Sequence, residues 1–280
     1  GCCALLIPGH GAVCFEVKSQ NTRSINEPSL EKSVKGGKDS FVETLRTNTA
    51  LVRRRIRDPR LKTRKLELGR KSHTQIEILY LEGVVDPALP LEVLRRLNQI
   101  DVDSVLATGI IEEYLMDCPR SPLPQLIHTE RPDRFSMYLA EGRVGIIIDG
   151  IPIALVVPVS FAEFMKVTGD SNLHFTLSSM LSIMRYLALL ISVYVPAIYV
   201  GVAMYHQEMI PTQLLLSVIS AKQDVPFSTG LEVFAMLIAL ELLQEAGLRL
   251  PNPIGDTVSI IGALIVGQSA VEAKIASPIA

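Results

Sequence analysis

YLALLISVYVPAIYVGVAMY, residues 186–205, runs for twenty positions whose only ionisable groups are tyrosine hydroxyls. At about 1.5 Å per residue, such a helix is about 30 Å long, the thickness of a bilayer's hydrocarbon core. Arg185 and His206 bracket it, and Tyr186 and Tyr205 fall where an aromatic belt would lie. Pro196 and Gly201 would harm a soluble helix but are tolerated in a transmembrane one. The stretch therefore predicts a transmembrane helix over 186–205. The competing reading is a buried core helix.

Charge density on either side agrees with a membrane. Residues 1–170 carry 45 charged side chains, or 26%, whereas residues 171–280 carry 11, or 10%. A water-exposed domain of the second size needs far more charge to cover its surface. Net charge is only −2, so the difference is one of distribution. A uniformly soluble enzyme, a disordered chain and a collagen-like chain are all excluded.

Beyond residue 205 the apolar runs are interrupted. They predict broken or re-entrant helices at 209–221, 231–250 and 257–275. Pro211 lies in the first, and Glu232, Glu241, Glu245 and Arg249 lie in the second. Runs of 13–15 uncharged residues are too short to span a bilayer alone and suit interfacial or protein-buried segments.

The N-terminal half reads as mixed α and β. GCCALLIPGHGAVCFEV (1–17) has the form of a hairpin around a Pro/Gly turn. It echoes GRVGIIIDGIPIALVVP (142–158) without gaps, placing Gly1 on Gly142 and Gly9 on Gly150. The echo predicts two related subdomains, at 1–118 and 119–180, with proline-rich PRSPLP (119–124) as the linker. Ser40-x-x-Glu43 predicts a capping box opening a helix with Phe41, Leu45, Val52 and Ile56 on one side, stopped by Pro59. Thr74–Leu81 alternates like a strand, Leu91–Ile100 has helical periodicity, and Val102–Met116 reads as a strand followed by a helix. The fold class is thus an α+β or α/β soluble half of two related subdomains, followed by an α-helical transmembrane region.

Catalytic constellations are missing from the sequence. The five histidines are scattered without HxxxH or HExxH spacing, and there is no Walker A lysine motif, dinucleotide fingerprint or nucleophile elbow. Cys2, Cys3, Cys14 and Cys118 show no zinc or disulfide spacing. The expectation is a non-enzyme with no cofactor and no catalytic or metal site. The chain starts within strand-like sequence and has no basic segment of a signal peptide, which suggests a fragment.

Three patterns point to contacts. RRRIRDPRLKTRK (53–65) concentrates eight cations, among them Arg53, Arg54, Arg55, Arg57 and Arg60. It reads either as a solvated helix end or as a surface for anionic lipid or a partner, with nucleic acid ranked below both. Gly255, Ser259, Ala263 and Gly267 recur every four residues as a small-residue stripe suited to close helix packing in lipid. Glu241, Glu245 and Arg249 share one helix face and, with Glu208, Asp256 and Glu272, are candidates for pore lining or subunit contact. The alternative for that face is an interfacial helix with its charges in water.

NTALVRRRIRDPRL (48–61), PLPQLIHTERPDR (122–134), EGRVGIIIDGIPIALVVP (141–158), HQEMIPTQLLLSVISA (206–221) and PIGDTVSIIGALIVGQSAVEAKIASP (253–278) resemble the A-subunit family of GerA-type spore germinant receptors. Gln213, Ser228, Asp256 and Lys274 depart from its pattern. The resemblance covers essentially the whole chain and implies a receptor subunit of the spore inner membrane with a cytosolic N-terminal half. It implies a transporter-like B subunit that takes the nutrient, a lipoprotein C subunit, homo-oligomerisation and a role in ion release, with the A subunit as a candidate channel. It also implies further sequence before Gly1 and further helices after Ala280. The alternative is an ion or solute transporter component with no germination role.

Overall fold

A computed structural model describes residues 2–7, 11–16, 25–28, 31, 36–121, 123–250 and 254–278; for the first two segments it describes the backbone pairing alone. Two compact units emerge, residues 1–182 and 183–280.

The described residues of unit one form two sheets. Strands β1 (Cys2–Ile7) and β2 (Gly11–Glu16) form an antiparallel hairpin. The second sheet has five antiparallel strands: β3 (Leu61–Leu68), β4 (Thr74–Leu81), β5 (Ile127–Thr129), β6 (Val144–Ile148) and β7 (Ala154–Val157). Their spatial order is β3-β4-β6-β7-β5. Both echoed segments are therefore hairpins, but out of step by one residue. Cys3 pairs with Phe15, whereas Val144 pairs with Val157 rather than Val156.

The expected subdomain boundary at 118/119 does not hold. Ile76–Leu79 of β4 pairs with Gly145–Ile148 of β6, so strands from both sides of the proline-rich stretch share one sheet. Ladder hydrogen bonds and a common core join them. The change of sheet falls instead between β2 and β3.

Helices cover both faces of the five-stranded sheet. On one face Ile76, Ile78, Ile146, Ile148 and Leu155 pack with Val93 and Leu97 of α2 (Ala88–Leu97) and Ile111 and Leu115 of α3 (Thr108–Leu115). On the other, Leu79, Leu81, Ile147 and Val156 pack with α1 (Leu45–Arg55) and α4 (Pro132–Ala140). A sheet buried on both sides explains why VGIII and ALVV read as continuous apolar runs. Gly145 is required on the second face: a Cβ there would lie 2.1 Å from the Phe135 ring.

Local signals were partly overridden by distant ones. Helix α1 starts at Leu45, not through a Ser40–Glu43 box. The Leu45 amide donates to Asp149 in the β6–β7 turn at 3.0 Å, and the Val42 amide to Asn48 at 2.8 Å. The Ser40 hydroxyl donates to the Asn26 carbonyl at 2.8 Å. No strand forms ahead of α3, because its backbone docks on the β3–β4 turn. There Arg70 donates to the Val102 carbonyl at 3.0 Å, and Lys71 to that of Asp103 at 2.7 Å.

After the short helix α5 (Phe161–Phe164) comes α6 (Phe175–Tyr205), 31 residues long and running unbroken through Pro196. It contains the predicted span 186–205 and starts earlier. None of its residues is buried, and it is long and apolar enough to cross a membrane. Helices α7 (Thr212–Lys222), α8 (Thr229–Leu248) and α9 (Ile254–Glu272) follow, close to the three expected segments.

Candidate buried polar site

The most buried ionic cluster of unit two is built where three chain segments end. Lys222 sits in the last turn of α7, where an ammonium complements the helix's negative end. Ser228 caps α8, its hydroxyl accepting from the Leu231 amide at 3.4 Å. Glu232 lies in the first turn of α8, where the positive end favours a carboxylate. After α9 the chain turns back through Lys274, whose positive φ of 56° is the left-handed geometry of a helix C-terminus. The Ile275 and Ala276 amides both donate to the Ala270 carbonyl, returning Ala276 and Ser277 to the start of α8.

Glu232 is only 2% exposed. Its Oε1 accepts from the Ser277 amide. Its Oε2 lies 3.8 Å from the Lys222 ammonium and accepts no hydrogen bond. Lys222 instead donates to the Thr229 hydroxyl. The Tyr199 hydroxyl of α6 lies near Ser277 and Glu232. A second pair, Lys274 with Asp224 at 2.7 Å, ties the same returning segment to the α7–α8 loop. Beside Lys222 lies a cavity of about 350 Å³, walled by Met204, Ile210 and Leu215 and by the polar residues Gln207, Ser228 and Thr229.

The predicted polar residues do not converge on this site. Glu208, Glu241, Glu245, Arg249 and Glu272 are exposed, and the Asp256 side chain lies outside the described residues. Arg249 pairs only with Glu245, at 2.9 Å. Glu272 instead lines a separate cavity of about 540 Å³ with Ala263 and Gly267. Glu232 sits nine positions before Glu241, about half a turn round the helix. In the sequence it stands as a charge in an apolar run, off the face shared by Glu241, Glu245 and Arg249. Tyr199, Lys222, Thr229 and Ser277 gave no local signal.

The small-residue stripe divides in two. Gly255 and Ser259 face α8: a Cβ on Gly255 would lie 2.3 Å from the Gly247 carbonyl oxygen, and one on Gly247 would lie 2.1 Å from the Ser259 hydroxyl. A Cβ on Gly267 would meet nothing within 4 Å.

In unit one the basic run is largely engaged within the chain. Arg54 and Arg55 pair with Asp39, Arg53 donates to Thr63, and Arg57 donates to the Arg54 carbonyl. Arg60 chelates Asp58, and its hydrogen bonds hold that carboxyl below its ordinary range. Among the described residues, no three His, Cys, Asp or Glu side chains gather as a metal site.

The chain thus joins an α+β unit to apolar helices around a buried ion pair, and one of those helices, α6, is long and apolar enough to cross a membrane. Over residues 1–280 the chain matches the family described as Bacillus/Clostridium GerA spore germination protein, and it belongs to that family. It is 41% identical over 278 residues to the uncharacterized membrane protein YfkQ of Bacillus subtilis (99% of this chain, 54% of that one). It is 39% identical to B. subtilis spore germination protein B1 (98% and 57%) and 41% identical to its spore germination protein KA (96% and 50%). The chain thus spans about half the length of these relatives. It is also 37% identical to the N-terminal domain of the A subunit of the Bacillus megaterium spore germinant receptor GerK3. That match covers 44% of this chain and 97% of the domain, with a TM-score of 0.36.

Proposed function

We propose that the chain is the A-type subunit of a nutrient-responsive germinant receptor in the spore inner membrane. Unit one lies in the cytosol, α6 crosses the bilayer, and α7–α9 belong to a multi-pass membrane region. The subunit transmits nutrient binding to ion release as part of a homo-oligomeric channel. It works beside a transporter-like B subunit, which takes the nutrient, and a lipoprotein C subunit. The observation that carries this reading is the family match over the whole chain. The unburied apolar surface of α6 supports the membrane assignment.

Deleting the gene tests the proposal. Spores lacking it should fail to release ions and germinate on one nutrient while responding normally to others. Unchanged germination on every nutrient, with altered solute uptake in growing cells, would favour the transporter alternative.

Orientation has its own test, because Lys166 and Arg185 before the span and Lys222 after it give only a weak positive-inside bias. Cys118 is an exposed free thiol. An impermeant maleimide applied outside intact membranes should leave it unmodified until they are permeabilised. Rapid modification beforehand reverses the topology.

A further inference from the structure

The Glu232 cluster contains one buried acceptor that the fold leaves unused. Buried carboxylate oxygens are nearly always hydrogen-bonded, so an unpartnered one calls for a ligand or an alternative partner. At 3.8 Å the Lys222 ammonium is too far from Oε2 for a hydrogen bond, and it is held off by its bond to Thr229. Oxygen and positive charge lie around Glu232: the Lys222 ammonium 3.8 Å from Oε2, the Thr229 hydroxyl that accepts from that ammonium, and the Tyr199 hydroxyl nearby.

We propose that Glu232, Thr229, Tyr199 and Ser277 form a binding site for a monovalent alkali cation, which the Lys222 ammonium occupies as a tethered substitute. The charges fix the class of ligand. One carboxylate balances one positive charge, so an alkali ion exchanges for the ammonium without changing the net charge of a buried site. A divalent ion would leave an excess charge beside a single carboxylate. Oxygen donors are suited to replacing the hydration shell of such an ion.

The geometry also gives Lys222 somewhere to go. Its side chain is 26% exposed while that of Glu232 is fully buried, and the cavity of about 350 Å³ lies on the lysine side. An incoming ion reaches the carboxylate by the route along which the ammonium leaves. Occupancy is coupled to the returning segment, because Glu232 Oε1 accepts from the Ser277 amide. A carboxylate with a counter-charge holds residues 276–277 down. One stripped of it is a buried unpaired charge, and the segment lifts. This inference stands independently of the germination reading.

The test uses the full chain in membrane vesicles with Cys2, Cys3, Cys14 and Cys118 replaced by serine and with Ala276→Cys, a position 3% exposed, as a reporter of the returning segment. Maleimide labelling is followed in choline, sodium or potassium chloride at equal ionic strength. With Lys222 present, labelling should be slow in all three. Adding Lys222→Met should make it fast in choline chloride and about tenfold slower or more in sodium or potassium chloride. Combining Lys222→Met with Glu232→Gln should remove the difference between salts. Equal labelling of the Lys222→Met chain in all three salts overturns the proposal, as does salt dependence that survives Glu232→Gln. Lys222→Gln provides a second variant. If neither lysine variant accumulates in potassium-rich cells, the proposal also fails, because an alkali ion there should replace the ammonium.

Discussion

Replacing Arg131 by methionine is expected to lower the thermal midpoint of the N-terminal unit by roughly 10 °C, a loss of about 3 kcal/mol. Arg131 is 1% exposed. Its guanidinium donates to Asp133 at 3.0 and 2.6 Å, to the Glu31 carbonyl at 3.2 Å and to the Gly37 carbonyl at 3.0 Å. One side chain thus clasps the segment before α1 onto α4. Methionine keeps much of the apolar volume but removes the guanidinium from a half-buried carboxylate, which keeps only the Arg134 amide, and from two carbonyls.

The loss should depend on pH in a defined direction. Burial pushes the Asp133 carboxyl up, but hydrogen bonds from Arg131 and the Arg134 amide outweigh it and hold the group below its ordinary range. A depressed folded pKa contributes stability that is present above the unfolded value, about 3.9. That contribution is lost as pH falls through the lower folded value. The difference between parent and variant should therefore be full at pH 7 and shrink below about pH 4. Circular dichroism of residues 1–182 measures it. Equal midpoints at pH 7 would show that the clasp is not a stabilising contact.

How much of this was readable beforehand depends on where each determinant lies in the chain. Strand β4 occupies the predicted Thr74–Leu81 because alternation and its flanking turn are local signals. Helix α6 was recognised, but its first eleven residues, FTLSSMLSIMR, dilute the apolar signal with serines, a threonine and an arginine. The start of α1 was misread because its cap, Asp149, lies 104 residues further on. The same holds for the 118/119 boundary. Nothing local to proline-rich PRSPLP reveals that β4 will pair with β6 across it.

The site was less legible than the fold. A charge in an apolar helix is visible in sequence, but whether it points to solvent or to a partner depends on the other helices. Glu241 and Glu245 turn outward and Glu232 inward, although all three belong to α8. The partners of Glu232 come from α6, α7 and the returning segment, and each looks unremarkable in its own context.

The small-residue stripe yields the sharpest separation of packing within a chain from assembly between chains. Gly255→Ala should reduce subunit abundance in the membrane about threefold or more, because the new Cβ would lie 2.3 Å from the Gly247 carbonyl oxygen. That oxygen is backbone, so no rotamer change relieves the clash and α8 and α9 must move apart. Small residues let helices approach closely in lipid, where little hydrophobic force compensates for lost contact. Gly267→Leu makes no such clash, since nothing in the chain lies within 4 Å of its would-be Cβ. It should leave subunit abundance intact and lower the yield of assembled complex. Leu264→Ile, at a position 62% exposed, serves as the control and should alter neither quantity. Both quantities are read from one membrane preparation, total subunit by immunoblot and complex by native gel. Parental abundance of Gly255→Ala would show that α8 and α9 need no close approach. Parental complex yield of Gly267→Leu would confine the stripe's role to packing inside one chain.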